Sequence, residues 1–155
     1  MMMQRFEPLV YLMKTGLPEL GERSWNEIGN DRDILKYDPD WAQYAQMESN
    51  NVLRFFALRD ESENLVGYAS VILLNNLHDR KILCAYVQDL YIEPEHRKGY
   101  MAFRDFYNTL EGHLKGIGVK HITMGEREND PRGGVGAVYK RLGFDSCERL
   151  WTKGI

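Results

Sequence analysis

The stretch Ile82–Ile92, ILCAYVQDLYI, does most to limit what this chain can become. Only Gln88 and Asp89 interrupt it strongly, so it is too apolar for a strand with one wet face. It reads as a strand in the interior of a sheet, covered on both sides. Pro94 stops it. The chain then passes Arg97-Lys98-Gly99, and from Tyr100 to Lys115 the residues Phe103, Phe106, Tyr107, Leu110 and Leu114 recur at helical spacing until Gly116. A buried strand that turns at once into a helix presents the helix's unpaired first-turn amides, at the positive end of its dipole, to whatever lies beyond the strand end. That is an anion site in outline. Arg97 and Lys98 add charge, and Gly99 lets a backbone approach closely. The same residues also satisfy a plain strand-to-helix turn.

The remaining elements follow from period and punctuation. Residues 8–15 and 18–28 carry helical spacing, with Gly16 and Gly29-Asn30 as stops. Asp38-Pro39-Asp40-Trp41 predicts a helix start, so the first 50 residues read as mostly helical, with no evident strand before Phe6. Val52–Arg59 and Leu65–Leu74 are rich in β-branched and aromatic residues and are joined by the polar turn 60–64, which predicts a hairpin. After the helix at 100–115 come a short strand over Val119–Met124, parallel to the preceding one by the crossover rule, and a helix over Val135–Leu142 ended by Gly143. A final strand is expected over Cys147–Thr152. The sum is an α/β chain in the order helices, three strands, helix, strand, helix, strand.

A length of 155 residues predicts one domain spanning 1–155, and no repeat or linker divides it. The net charge of −3 argues against general electrostatic binding of nucleic acid or an anionic membrane. Residues 1–50 carry 5 basic and 9 acidic side chains, whereas residues 101–155 carry 9 and 7. The basic end suits a phosphate-bearing ligand, and the acidic start favours a cationic or lysine-bearing partner. With no signal-peptide pattern and no apolar run of about 18 residues, a soluble, cytoplasmic protein is expected. Cys84 and Cys147 lack metal-ligand spacing and read as buried or half-buried free thiols, so no metal site is expected.

Ala137-Val138-Tyr139-Lys140-Arg141-Leu142-Gly143-Phe144 places a tyrosine one helical turn before a Gly-Phe stop. Together with the Arg97–Ala102 turn it resembles the GNAT superfamily of acetyl-CoA-dependent N-acetyltransferases, whose two elements read R-x-x-G-x-G/A and Y-x-x-x-G-F. Tyr139, Gly143 and Phe144 match the second. Arg97 and Ala102 match the ends of the first, while Tyr100 stands at its central glycine and Gly99 comes one residue early. That shifted form resembles a branch common in tailed bacteriophages, as do Asp38-Pro39-Asp40-Trp41, Leu65-Val66-Gly67-Tyr68-Ala69, Leu77-His78 and Asp89-Leu90-Tyr91-Ile92. The likeness spans residues 34 to 153.

The resemblance implies a mixed, mostly antiparallel twisted sheet with splayed central strands and helices on both faces. It implies an acetyl-CoA-binding core over 83–144 and an acceptor-side region over 1–50. Backbone groups of Leu90, Tyr91 and Ile92 would pair with the pantetheine arm, which Asn129 would also bind. Arg97, Lys98, Gly99, Tyr100, Met101 and Ala102 would cradle the pyrophosphate. The acetyl group would pass directly to an amine of a small molecule or protein, with Tyr139 as general acid at sulfur. Asp89, a carboxylate in an apolar strand, is the first candidate base, and equally reads as a buried partner for an arginine or for loop amides. Glu126 is the second. His78 and Trp41 are candidates for the acceptor side, although Trp25, Trp41 and Trp151 also read as core or interface anchors. Arg127, Arg132, Lys140 and Arg141 read as a solvated face.

One strand after the Gly-Phe stop, where the superfamily has two, leaves a sheet edge bare and predicts a homodimer. Two other readings remain open on the residues alone. One is a non-catalytic module that binds CoA or a host protein. The other is a phage enzyme, working in the bacterial host cytoplasm, that acylates an amino-modified nucleobase or a host defence protein.

Overall fold

The structure is a computed structural model describing residues 2–30, 32–128 and 130–155. Its strands are β1 (Met3–Glu7), β2 (Leu53–Arg59), β3 (Leu65–Asn75), β4 (Leu83–Ile92) and β5 (Val119–Met124). Its helices are α1 (Leu9–Lys14), α2 (Leu17–Ile28), α3 (Trp41–Ser49), α4 (Gly99–Gly116) and α5 (Val135–Arg141), with a 3₁₀ turn over Pro94–His96. They form one sheet of order β1-β2-β3-β4-β5, antiparallel except for the parallel β4–β5 pair. The expected mixed, mostly antiparallel α/β fold is what the chain adopts.

Helices cover both faces. On one, Phe106, Leu110 and Leu114 of α4 pack on Phe56, Leu58, Ala69, Val71, Val87, Leu90 and Ile92. On the other, Leu9, Leu12, Leu17, Leu20 and Ile28 of α1 and α2 cover Leu53, Phe55, Ala57, Tyr68 and Tyr91. Trp41, Tyr44 and Met47 of α3 pack on that second cluster as partly buried side chains. The two-residue period of the strands sorts the side chains between the two layers.

Three expectations are corrected. A strand does precede residue 8: β1 pairs along β2, its Phe6 ring meets Phe56 edge-on at 5.1 Å, and Glu7 grips the buried Arg59. Five residues carry too little period to announce a strand; contacts about 50 positions away make this one. Cys147–Thr152 forms no strand. Its adjacent charges Glu148-Arg149 and adjacent apolar residues Leu150-Trp151 give neither face a consistent character. Trp151 is accordingly 86% exposed rather than a core anchor, and Cys147 is exposed while Cys84 is half-buried. Finally, β4 lies between two strands, but its Tyr86 and Gln88 are exposed, so cover is complete only near its end. Among the described residues, no helix is long and apolar enough to cross a membrane.

Candidate active site

The site begins with a defect in β4. Asp89 pairs with Ser70, but the next pair is Val87 with Val71, so Gln88 is an extra residue in the strand. A bulge of this kind bends its strand and re-aims the side chains beside it. Here Val87 and Leu90 both enter the α4-side core, which turns Asp89 toward the face shared with Tyr68 and Tyr91. Pairing with β5 stops at Val87–Met124. Beyond that point the strands part, and among the described residues β4 from Gln88 to Ile92 has no strand on that side.

The parted edge is a row of backbone groups. Glu93 donates to the Val66 carbonyl at 2.8 Å, so by antiparallel alternation Tyr91 also faces β3 while Leu90 and Ile92 face the gap. The Ile92 carbonyl accepts from Arg97 Nε at 2.6 Å, and the Leu90 carbonyl accepts from Arg132 Nη1 at 3.4 Å. The Leu90 and Ile92 N–H groups are left free by the sheet.

Past the strand, the Arg97 amide is engaged by the Pro94 carbonyl at 3.2 Å. The next amides, Lys98 to Met101, open α4 and have no carbonyl one turn earlier to bond. Among the described residues no side chain caps them, and no acidic residue occupies the first turn. Gly99 has φ +62, and a Cβ added there would meet nothing within 4 Å. The turn is therefore an open cradle of oriented donors. Ala102 completes that first turn. The Tyr100 ring lies with the Arg141 guanidinium 5.3 Å and the Arg104 guanidinium 6.0 Å from its centre. This couples the start of α4 to α5.

The Arg97 side chain holds the turn from behind. Its two terminal nitrogens bond Glu27 of α2 at 2.5 and 2.8 Å, the Tyr91 hydroxyl donates to the same carboxylate at 2.9 Å, and the guanidinium sits 5.1 Å from the Tyr91 ring centre. Arg97 above all holds the Glu27 carboxyl below its ordinary range, with Tyr91 helping against the opposing effect of burial. Burial and Glu27 together push the Tyr91 phenol up to about 12.

The chemistry-bearing side chains meet in the gap between β4 and β5, a cavity of about 40 Å³ whose walls include Gln88, Asp89, Leu90, Arg127, Arg132 and Tyr139. Tyr139 is packed between Phe103 and Phe144 and donates to the Gly125 carbonyl at 2.8 Å. Burial pushes its phenol up to about 12, with Arg132 pulling the other way. The Asp89 side chain is 28% exposed and accepts from the Ser70 hydroxyl at 2.9 Å. Burial raises its carboxyl above the ordinary aspartate value, opposed by the Ser70 bond and by Arg127. Tyr37, Tyr44 and Tyr68 all feel its charge, although burial is the main cause of their raised phenols.

The other sequence candidates lie elsewhere or serve the scaffold. Glu126 accepts the Gly136 amide at 2.9 Å, capping the start of α5 from outside the helix. His78 sits in the loop before β4, whose first residue, Leu83, is itself ~20 Å of strand from Asp89 at ~3.3 Å per residue. Trp41 packs on Tyr44 with ring centres 5.4 Å apart, in the α3 layer. Asn129 lies outside the described residues. Conversely, Arg127 and Arg132 form no solvated face; both line the gap. Neither they nor Glu27 carried a local signal, except that Asp130-Pro131-Arg132 pairs opposite charges across a proline.

These features fit acetyl-CoA by their chemistry: free strand donors for an amide-bearing arm, uncapped amides for a diphosphate, and a carboxyl and a phenol at the inner end. The fold is that of solved acetyltransferases. A Trypanosoma brucei acetyltransferase superposes with a TM-score of 0.69 at 14% identity, over 100% of each chain. A predicted acetyltransferase from Clostridium acetobutylicum, solved with acetyl-CoA, gives 0.65 at 15% identity, over 99% of this chain and 96% of that one. An aminoglycoside acetyltransferase from an uncultured soil metagenomic sample, in complex with sisomicin, gives 0.71 at 14% identity, over 99% and 94%. A comparison with curated proteins finds no match. The model of the acetyltransferase (GNAT) family matches residues 18–144. The chain belongs to that family.

Proposed function

We propose that this protein transfers an acetyl group from acetyl-CoA to a primary amine by direct attack within a ternary complex. The observation that carries the reading is that the unpaired β4 edge, Asp89 and Tyr139 share one gap, with the uncapped start of α4 following just beyond the end of that strand. The thioester supplies an activated acyl carbon. Leu90 and Ile92 line the arm with backbone groups, and the amides from Lys98 to Met101 take the diphosphate. Asp89 accepts the proton that the incoming ammonium must lose, its raised carboxyl being a better base than an ordinary aspartate. The amine nitrogen bonds to the acyl carbon, the carbon–sulfur bond breaks, and Tyr139 returns a proton to sulfur. A phenol near 12 is fully protonated at neutral pH. It gives up its proton only as charge develops on the departing sulfur, with Arg132 offsetting the phenolate.

The structural role of Glu126 supports Asp89 as the base. The early glycine at Gly99 supports kinship with the phage-encoded branch and work in a host cytoplasm. Among the described residues no strand pairs with the outer edge of β5, and Leu150 and Trp151 stand exposed in the chain that follows α5. This supports a homodimer built over that region, which a monomeric mass in light scattering at micromolar concentration would exclude.

The experiment is thiol release from acetyl-CoA with a panel of amines, preceded by thermal shift with CoA. Binding should raise Tm, and Tyr139→Phe should lower kcat by about a hundredfold, the scale of general acid catalysis, with KM for acetyl-CoA little changed. No shift at millimolar CoA refutes the reading. Equal losses in kcat and affinity would make Tyr139 a scaffold residue.

A further inference from the structure

The charges of the gap pair off, Arg127 with Asp89 and Arg132 with Asp130, but their hydrogen bonds do not all close. Arg132 and Asp130 satisfy one another, through Nε at 2.9 and 3.1 Å, Nη2 at 2.5 Å and the Arg132 amide at 2.9 Å. The free terminal nitrogen of Arg132 leans on the Leu90 carbonyl. Asp89 has the Ser70 hydroxyl on Oδ2. Arg127 is different. Its Nη2 stands 3.9 Å from Asp89 Oδ1, too far for a hydrogen bond, and its Nη1 is buried with no acceptor among the described residues. A buried guanidinium donor without a partner is costly, and this one lies in the wall of a ligand gap.

We propose that Arg127 recognises the acceptor, and that the acceptor is an amine carrying a carboxylate close to the reacting nitrogen, as a free amino acid does. The proposal rests on the transferase reading for the identity of the reacting group. Asp89 and Arg127 present opposite charges about 4 Å apart without closing on each other, an arrangement complementary to a neighbouring ammonium and carboxylate. The ammonium meets Asp89, which takes its proton. The carboxylate meets Arg127, whose planar fork matches two carboxylate oxygens and supplies the partner Nη1 lacks. A polycation fits poorly, since its second positive charge would fall near Arg127 and Arg132. Arg132 touches the strand edge, whereas Arg127 faces Asp89, so the acceptor rather than the coenzyme falls to Arg127.

The test compares each of several amino acids with the amine formed by its decarboxylation: phenylalanine with phenethylamine, leucine with isopentylamine, lysine with cadaverine. Thiol release is measured and kcat/KM corrected for the fraction of free amine. The carboxylated member is expected to be at least tenfold better. Arg127→Gln should bring the pair within twofold, chiefly by lowering the carboxylated member, and Arg127→Lys should restore part of the preference. KM for acetyl-CoA should stay within twofold in both variants. Equal rates for wild-type pairs, an equal loss of both members in Arg127→Gln, or a tenfold rise in KM for acetyl-CoA each overturn the proposal. If no amine supports thiol release, the transferase reading fails, and recognition is then read by thermal shift with CoA present. Stabilisation by amino acids alone, lost in Arg127→Gln, upholds the role of Arg127; no stabilisation by any amino acid overturns it.

Discussion

Replacing Gly99 by alanine separates what the cradle needs for folding from what it needs for binding. Gly99 has φ +62, and a left-handed backbone costs an L-residue about 1–2 kcal/mol. An added Cβ touches nothing, so strain is the whole expected cost to the free protein. For a chain of this length that corresponds to a Tm loss of roughly 2–8 °C. Gly118 offers a matched control, with φ +95 and equally open space, at the other end of α4, ~27 Å away along an 18-residue helix. Gly118→Ala should lose a similar Tm. Coenzyme affinity should part the two variants. If the turn holds the diphosphate as proposed, the methyl at Gly99 projects into that space, and losing one charge-assisted hydrogen bond is worth about 1.5–3 kcal/mol. That is roughly a 10- to 150-fold weaker Kd for CoA by calorimetry, against no change for Gly118→Ala. If both variants lose the same Tm and both bind CoA like the wild type, the turn does not hold the diphosphate.

Two further outcomes follow from the charged groups. Because burial raises the folded-state pKa of Asp89, the folded protein prefers the protonated carboxyl, so this group adds stability as pH falls through the raised value and subtracts it above. Asp89→Asn should therefore leave Tm at neutral pH equal or higher while removing the acid limb of the rate profile; an unchanged limb would assign the base elsewhere. Glu27 has the opposite sign. Its pKa is lowered by Arg97, so its stabilisation is present above the ordinary glutamate value and is lost as pH falls through the lower folded value. Glu27→Gln should cost about 1 kcal/mol at pH 7 for a partly exposed pair and nothing in strong acid, measured by urea unfolding at both pH values.

Much of this molecule is written in short-range pattern. The apolar run over 82–92, the stripe from Phe103 to Leu114, the hairpin turn at 60–64 and the glycine between strand and helix each act through local sterics or period. The sequence alone thus suffices for α1 to α5, for β2 to β5 and for the glycine turn that opens α4. What tertiary structure decided is where the chemistry points. The extra residue at Gln88 turns Asp89 to one face, and only pairing with β3 reveals it. Glu27 reaches Arg97 across 70 positions, and Glu7 reaches Arg59 across 52, so β1 and the back of the cradle exist only once the layers pack. Arg127 resembles any exposed arginine in sequence; it becomes a ligand-facing group because β5 parts from β4 and leaves its guanidinium in the gap. Local pattern fixes an element through contacts a few residues apart, whereas a binding site is set by the relative placement of elements, and that is a property of the packed core.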